Sequence, residues 1–234
     1  MTNKPNRPVR VLFSGGVDST VCLALAVAEY GEGGVDAVFF DYGQRHLDAE
    51  FAAARKIAQL FGVLLHTRKV RYLGGGVVDG SDLSPAGAVV PGRNSAFIAS
   101  ALAPGELPSA IVMGCCRDDW RAFDDCRPEF FDAERAGMAF NVKILTPLLF
   151  KSKAQVLHEA ERLGVLDLVL ADSWSCYAGG DEPCGECGAC VALAAGVRGL
   201  PALRRPCPKC GAATGESCFH PNHGFVGAHR ERLP

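Results

Sequence analysis

The string Ser14-Gly15-Gly16-Val17-Asp18-Ser19-Thr20 joins an apolar run, Arg10-Val11-Leu12-Phe13, to an amphipathic stretch from Asp18 to Tyr30. No other feature constrains the fold as much. A buried strand must hand over to a helix through two glycines, which lets backbone N–H groups turn inward and approach an anion. The helix N-terminus adds a partial positive charge at the same point. The Ser and Thr hydroxyls supply further donors. A plain capped turn accounts for Ser-Gly-Gly but not for the full string. The string holds no Lys, so it is not a Walker A loop.

The pattern continues in alternation. Val35 to Phe40 and Val63 to His66 read as strands, and Leu47 to Phe61 as a helix. Ile111-Val112-Met113 and Lys143-Ile144-Leu145 read as later strands, with helices over Asn94 to Leu102 and Lys151 to Leu163. A β-α-β-α-β order predicts an α/β fold, a parallel sheet with helices on both faces. Leu73 to Ala88, rich in Gly, Ser and Asp, is either a lid or a connector. A compositional boundary near Gly199-Leu200-Pro201 divides a body of residues 1–199 from a module of 200–234.

The formal net charge is −2, which argues against a chain built to coat nucleic acid or an anionic membrane. No run of 18 apolar residues exists, so no membrane span is expected. The polar, basic start from Met1 to Arg10 lacks an apolar signal region, and a cytoplasmic location is expected. Of 11 cysteines, seven fall between Cys176 and Cys218 in short spacings, which in a reducing compartment read as metal ligands before disulfides.

Further strings follow in order: Phe40-Asp41-Tyr42-Gly43-Gln44-Arg45-His46, Val90-Pro91-Gly92-Arg93-Asn94, Asp124-Asp125-Cys126-Arg127-Pro128-Glu129-Phe130, and Thr146-Pro147-Leu148 with Lys151-Ser152-Lys153. Last come Ser175-Cys176-Tyr177 and Cys184-Gly185-Glu186-Cys187-Gly188-Ala189-Cys190. Together with the glycine string, this set resembles the 7-cyano-7-deazaguanine synthases, the QueC type of PP-loop ATP pyrophosphatase, from about Val11 to Cys190. The resemblance implies an adenine nucleotide alpha hydrolase-like fold. It also implies ATP-dependent conversion of a 7-carboxy-7-deazaguanine and ammonia to the nitrile through an acyl adenylate.

On that resemblance Ser14, Gly15, Gly16, Asp18, Ser19, Thr20, Asp41 and Arg93 bind the nucleotide, with Asp18 holding Mg²⁺. Asp18, Lys153 and Arg127 are the expected catalytic residues. Arg45, Asp119, Asp125 and Glu129 are expected to face the substrate, since carboxylates accept from guanine-type N–H donors. For each of these charges a solvated surface position is the competing reading. Lys151 and Lys153 begin a helix, where the dipole disfavours them, and that favours a functional role. The resemblance has two departures. The family usually carries an Arg soon after its last cysteine, whereas Val191-Ala192-Leu193-Ala194 follow Cys190 here. Gly114-Cys115-Cys116-Arg117-Asp118-Asp119-Trp120 stands where the family often has amides.

Cys176, Cys184, Cys187 and Cys190 suit tetrahedral Zn²⁺, with an iron–sulfur cluster as the chemical competitor. The tail, Cys207-Pro208-Lys209-Cys210-Gly211-Ala212 and then Cys218, has the spacing of a Cys₃His zinc knuckle. It resembles small zinc modules of actinobacterial and phage proteins, on which match His229 is the fourth ligand; local reach also allows His223. From Arg204 onward five Lys or Arg stand against two Glu. Nucleic-acid docking, partner docking and bracing all remain open for this module, and relatives are commonly homodimers. Two other readings compete for the whole chain. One is another PP-loop adenylating enzyme, a tRNA thiolase or amide synthetase, for which Cys115, Cys116 and Cys126 would be candidate thiols. The other is a zinc-dependent nucleic-acid-binding protein with an inert nucleotide fold.

Overall fold

The structure is a computed structural model and describes residues 7–71, 73, 82, 84, 87–103, 106–204, 206–216, 218–220 and 224–226, the last two groups by backbone alone. Most of the stretch Leu73 to Ala88, together with His223 and His229, lies outside the described residues.

Five short segments form the central sheet: β1 (Val9–Leu12), β2 (Val35–Asp41), β3 (Leu64–Lys69), β4 (Ala110–Val112) and β5 (Lys143–Leu145). Their order is β3-β2-β1-β4-β5, and every pairing is parallel. Because side chains alternate along a strand, each strand feeds two cores. Val9, Val11, Phe13, Ala37 and Phe39 pack on one face against α1 (Val17–Tyr30), α2 (Leu47–Leu60) and the helices that follow β5. Leu12, Val38, Phe40, Ile111 and Met113 pack on the other face with α3 (Arg93–Ala101) and α4 (Pro128–Gly137). The α/β architecture expected from the alternation is the one observed, with strand ends shifted by at most three residues.

One charged pair lies within these layers. Arg10 and Asp36 are register partners on β1 and β2, and the guanidinium donates to both carboxylate oxygens at 2.9 and 2.6 Å. A third bond runs to the Ala101 carbonyl at 2.9 Å. Burial is tolerated because both ions are satisfied by geometry.

The chain continues through α5 (Lys153–Arg162), α6 (Leu166–Asp172) and α7 (Gly188–Leu203). α7 runs across the compositional boundary at Gly199–Pro201 and seats Leu200 and Leu203 in buried positions. Its composition, with Pro201 inside the helix, hid it from periodicity. In the tail, β6 (Cys218–His220) and β7 (Gly224–Val226) pair antiparallel. Among the described residues no helix is long and apolar enough to cross a membrane.

Candidate active site

The strand order reverses direction between β1 and β4. In open α/β sheets, ligands bind outside the carboxyl ends of the strands at such a point. Here a cavity of about 1410 Å³ opens at the ends of β1, β2 and β4, lined among others by Ser14, Phe40, Tyr42, Met113 and Gly114.

The glycine string forms its floor. Gly15 has φ +78°, and a Cβ there would lie 2.6 Å from the Ala54 N of α2, so the loop is pressed onto that helix by a residue only glycine can supply. Ser14 Oγ lies 3.2 Å from Ser19 Oγ and accepts from the Gly16 N–H at 3.2 Å. Ser19 Oγ donates to the Gly16 carbonyl at 3.0 Å. These bonds fix the loop, and Gly16 at the N-cap has no side chain of its own to take up the N–H groups of α1, which suits the N-terminus to an anion. From far along the chain, Trp174 donates its N–H to the Gly15 carbonyl at 2.9 Å, and Ser175 Oγ accepts from the Val17 N–H at 3.2 Å.

Asp18 and Lys153 meet inside this floor. Lys153 Nζ donates to the two Asp18 carboxylate oxygens at 2.6 and 2.5 Å, and its side chain is only 9% exposed. Burial raises the Asp18 pKa; Lys153 opposes that rise while Asp119 and Asp118 add to it. Burial works against the Lys153 ammonium, but Asp18, with Cys116 and Asp119, more than offsets it and holds its pKa above the usual range. Ligand atoms of Asp18, Cys116 and Asp119 all lie within 4.8 Å of one another, a grouping that could hold a cation. The hard oxygens of the two aspartates suit Mg²⁺; the buried thiol, whose pKa is raised first by burial, does not.

The walls divide by chemistry. Phe40 and Phe97 stack at 4.3 Å with an interplanar angle of 4°, and Tyr42 joins Phe97 at 5.5 Å. The Arg93 guanidinium stands 6.0 Å from the Tyr42 ring centre. Burial pushes the Tyr42 phenol up to about 12, with Arg93 opposing. Arg121 adds a further cation to the lining. Gly188, Ala189, Val191, Ala192, Leu193 and Ala195 of α7 contribute an apolar wall where the resembled family usually has its Arg.

Several expected residues sit elsewhere. Ser14, Gly16, Asp18, Ser19, Arg93, Asp119 and Lys153 line the cavity; Thr20 is fully buried beneath it. Asp41 is outside the lining, accepting from the Gly43 N–H at 3.2 Å and facing Lys69 Nζ at 3.6 Å. Arg127 is exposed, bonded to the Trp120 carbonyl at 2.9 Å and to Asp124 at 2.9 Å. Arg45 and Glu129 are exposed, and Asp125 offers its carbonyl to Asn94 at 2.9 Å; none of the three lines the cavity. Lys151 pairs with Glu159 at 3.5 Å. Trp174, Gln44 and Arg121 also line the site, as does His46, for which its place at a helix start suggests a surface position. Gln44 and His46 are buried, which nothing in their spacing marks.

Cys176, Cys184, Cys187 and Cys190 converge, their sulfurs all within 4.8 Å of one another. Backbone N–H groups point at them: Cys184 N to Cys176 Sγ at 3.3 Å, and Cys187 N to Cys184 Sγ at 3.3 Å. N–H donors from Glu186 and Cys187 lower the Cys184 thiol to about 6, whereas burial pushes Cys190 up to about 12. Four crowded sulfurs with N–H donors aimed at them form a seat that could hold a metal ion. In the tail, Cys207 is buried and Cys210 exposed; the Cys207 carbonyl accepts from the Gly211 N–H at 2.9 Å in a tight turn.

The family model described as queuosine biosynthesis protein QueC matches residues 9–200. A protein of Chromobacterium violaceum named 7-cyano-7-deazaguanine synthase is 37% identical over 215 residues, covering 84% of this chain and 91% of that one. One of the same name from Gloeothece citriformis is 36% identical over 210 residues, covering 79% and 89%. The solved NMN synthetase of Francisella tularensis overlays with a TM-score of 0.45 at 16% identity, covering 79% of this chain and 73% of that one, too loose a likeness to carry an argument. The glycine floor, the thiolate seat and the strings between them all fall inside the matched span, and the chain belongs to the QueC family of queuosine biosynthesis proteins.

Proposed function

We propose that this chain is an ATP-dependent 7-cyano-7-deazaguanine synthase acting on 7-carboxy-7-deazaguanine and ammonia. The observation that carries the reading is one cavity of about 1410 Å³ holding an anion-binding helix N-terminus, a buried Lys–Asp pair and an aromatic wall. Pockets for a single small ligand span about 300–1,000 Å³. This cavity is large enough to hold ATP and a second flat, purine-like ring together, which adenylation requires.

The chemistry follows from the groups present. A carboxylate is a poor electrophile. Its oxygen attacks the α-phosphorus of ATP, pyrophosphate leaves, and an acyl adenylate forms. Ammonia adds to the acyl carbon, AMP departs with the carboxyl oxygen, and a primary amide remains. The amide oxygen then attacks the α-phosphorus of a second ATP and displaces pyrophosphate, and AMP leaves with that oxygen while the nitrogen loses two protons, giving the nitrile. Charge develops on phosphate oxygens in both activations, where the α1 N–H groups, Lys153 and Arg93 stabilise it. Asp18 and Asp119 would hold Mg²⁺, which supplies charge neutralisation on the phosphates. Phe40, Tyr42 and Phe97 offer a flat face to a ring.

The four cysteines from Cys176 to Cys190 would hold Zn²⁺ as a structural ion. The tail, a module of residues 200–234, would hold a second through Cys207, Cys210, Cys218 and His229, with His223 as the alternative donor. A cytoplasmic homodimer is the expected form. Nucleic-acid docking through the tail has only its mild basic bias in support.

Mass spectrometry of the product from ATP, ammonia and carboxydeazaguanine tests the reading. The nitrile, with two AMP formed per product, is expected. Arrest at the amide would make the chain an amide synthetase, and no deazaguanine product at all would end the proposal.

A further inference from the structure

The segment after α7 folds back onto the helix that carries Lys153. Gly215 donates its N–H to the Leu203 carbonyl at 2.9 Å, which tucks the turn against the body. Arg204 pairs with Glu161 of α5 at 2.7 Å. Gly215 sits over His158 of α5, where an added Cβ would be 3.1 Å from the ring. This segment lies beyond residue 200, where the family match ends.

The contact that matters is made by Gln155. Its Oε1 accepts from the Ser152 N–H at 3.0 Å, while its own N–H donates to Ser152 Oγ at 3.3 Å, a reciprocal capping box that sets where α5 begins. With Oε1 committed to that donor, the other end of the amide must be the NH₂ group. It donates to the Gly215 carbonyl at 2.9 Å. A flipped amide would set NH₂ against N–H and oxygen against carbonyl, so the assignment is unique. Lys153 is the first residue of the helix that this box fixes, and its ammonium reaches Asp18.

We infer that Gln155 is a positioning residue that couples the C-terminal extension to the ATP site, the Gly215 carbonyl holding the amide that fixes the first turn of α5 and so the seat of Lys153. The inference rests on the reading above that Lys153 serves the phosphates of ATP. The extension is thereby part of the catalytic scaffold of this chain.

Two full-length variants test it from opposite sides. Gln155→Glu keeps the capping box, because a carboxylate still accepts from the Ser152 N–H, but it has no donor for the Gly215 carbonyl. Gly215→Ala has a left-handed φ of +82° and a Cβ against His158, and lifts the turn from the helix. Each is expected to weaken ATP binding in calorimetry and to lower kcat about fivefold, the size of one lost hydrogen bond, with the KM for the carboxylate unchanged. The double variant should be no worse than either single one. Additive losses in the double variant, or wild-type ATP affinity in Gln155→Glu, would overturn the coupling. ATP binding needs no deazaguanine, so a wild-type chain that binds ATP yet forms no nitrile would sink the proposed function while the cycle still decides the coupling.

Discussion

Asp18 and Lys153 are an acid and a base in a buried seat, each favouring the ionised form of the other against burial. Removing one partner leaves the other stranded, which costs about 3–5 kcal/mol in a buried pair. Asp18→Asn should therefore lower stability in urea titration by about 3 kcal/mol and cut AMP formation by at least about 100-fold. Combining it with Lys153→Met removes both charges. The double variant should regain about 1 kcal/mol or more of stability while staying inactive. A double variant less stable than Asp18→Asn would mean that the pair is not coupled as its 2.5 Å contact implies. Retained pyrophosphate release in Asp18→Asn would remove that carboxylate from catalysis.

At the scale of elements, the loop after β1 and the segment from Trp174 to Cys187 hold one another. Trp174 and Ser175 bond the loop, and Cys176, Cys184 and Cys187 belong to the cysteine cluster that continues into α7 at Cys190. Gly15→Ala forces a Cβ into the α2 backbone at a positive φ, and should cost about 1–3 kcal/mol with loss of measurable ATP binding. Cys187→Ser should release the metal from the seat, free the loop's cover and lead to aggregation in size-exclusion chromatography. A soluble Cys187→Ser chain with full activity would show that the seat is not structural. The first strands and helices were legible because their periods of two and near four are imposed by burial on both sheet faces. α7 was not. It is apolar on most sides, carries glycines and Pro201, and is stabilised by packing rather than by propensity. The glycine loop was legible because its residues are contiguous. Ser175 is 158 residues from the Val17 it caps, and only the fold brings them together. Arg127 and Glu129 are expected at the site through the resemblance of the Asp124–Phe130 string; in the structure α4 begins there and both side chains are exposed.

Across the whole molecule, the two ends of the sheet divide the work. The Arg10–Asp36 pair ties β1 to β2 near their start, and the cavity occupies the opposite end. The thiolate seat and the C-terminal extension both reach that end, one through Trp174 and one through Gln155. They are separate clusters of cysteines on separate elements, so a metal held by one should be lost independently of a metal held by the other. Full-length protein is expected to carry two Zn²⁺ per chain by plasma mass spectrometry. Cys210→Ser changes an exposed residue and should lose one Zn²⁺ while the chain stays folded and keeps the ion held by Cys176 to Cys190. Its ATP affinity should fall to the level of Gln155→Glu and no further, because a loosened knuckle costs only the Gly215 contact. A single Zn²⁺ in the wild-type chain, or two in Cys210→Ser, would refute a metal in the extension. A Cys210→Ser chain that loses ATP binding altogether would show that the extension does more than hold one helix in place.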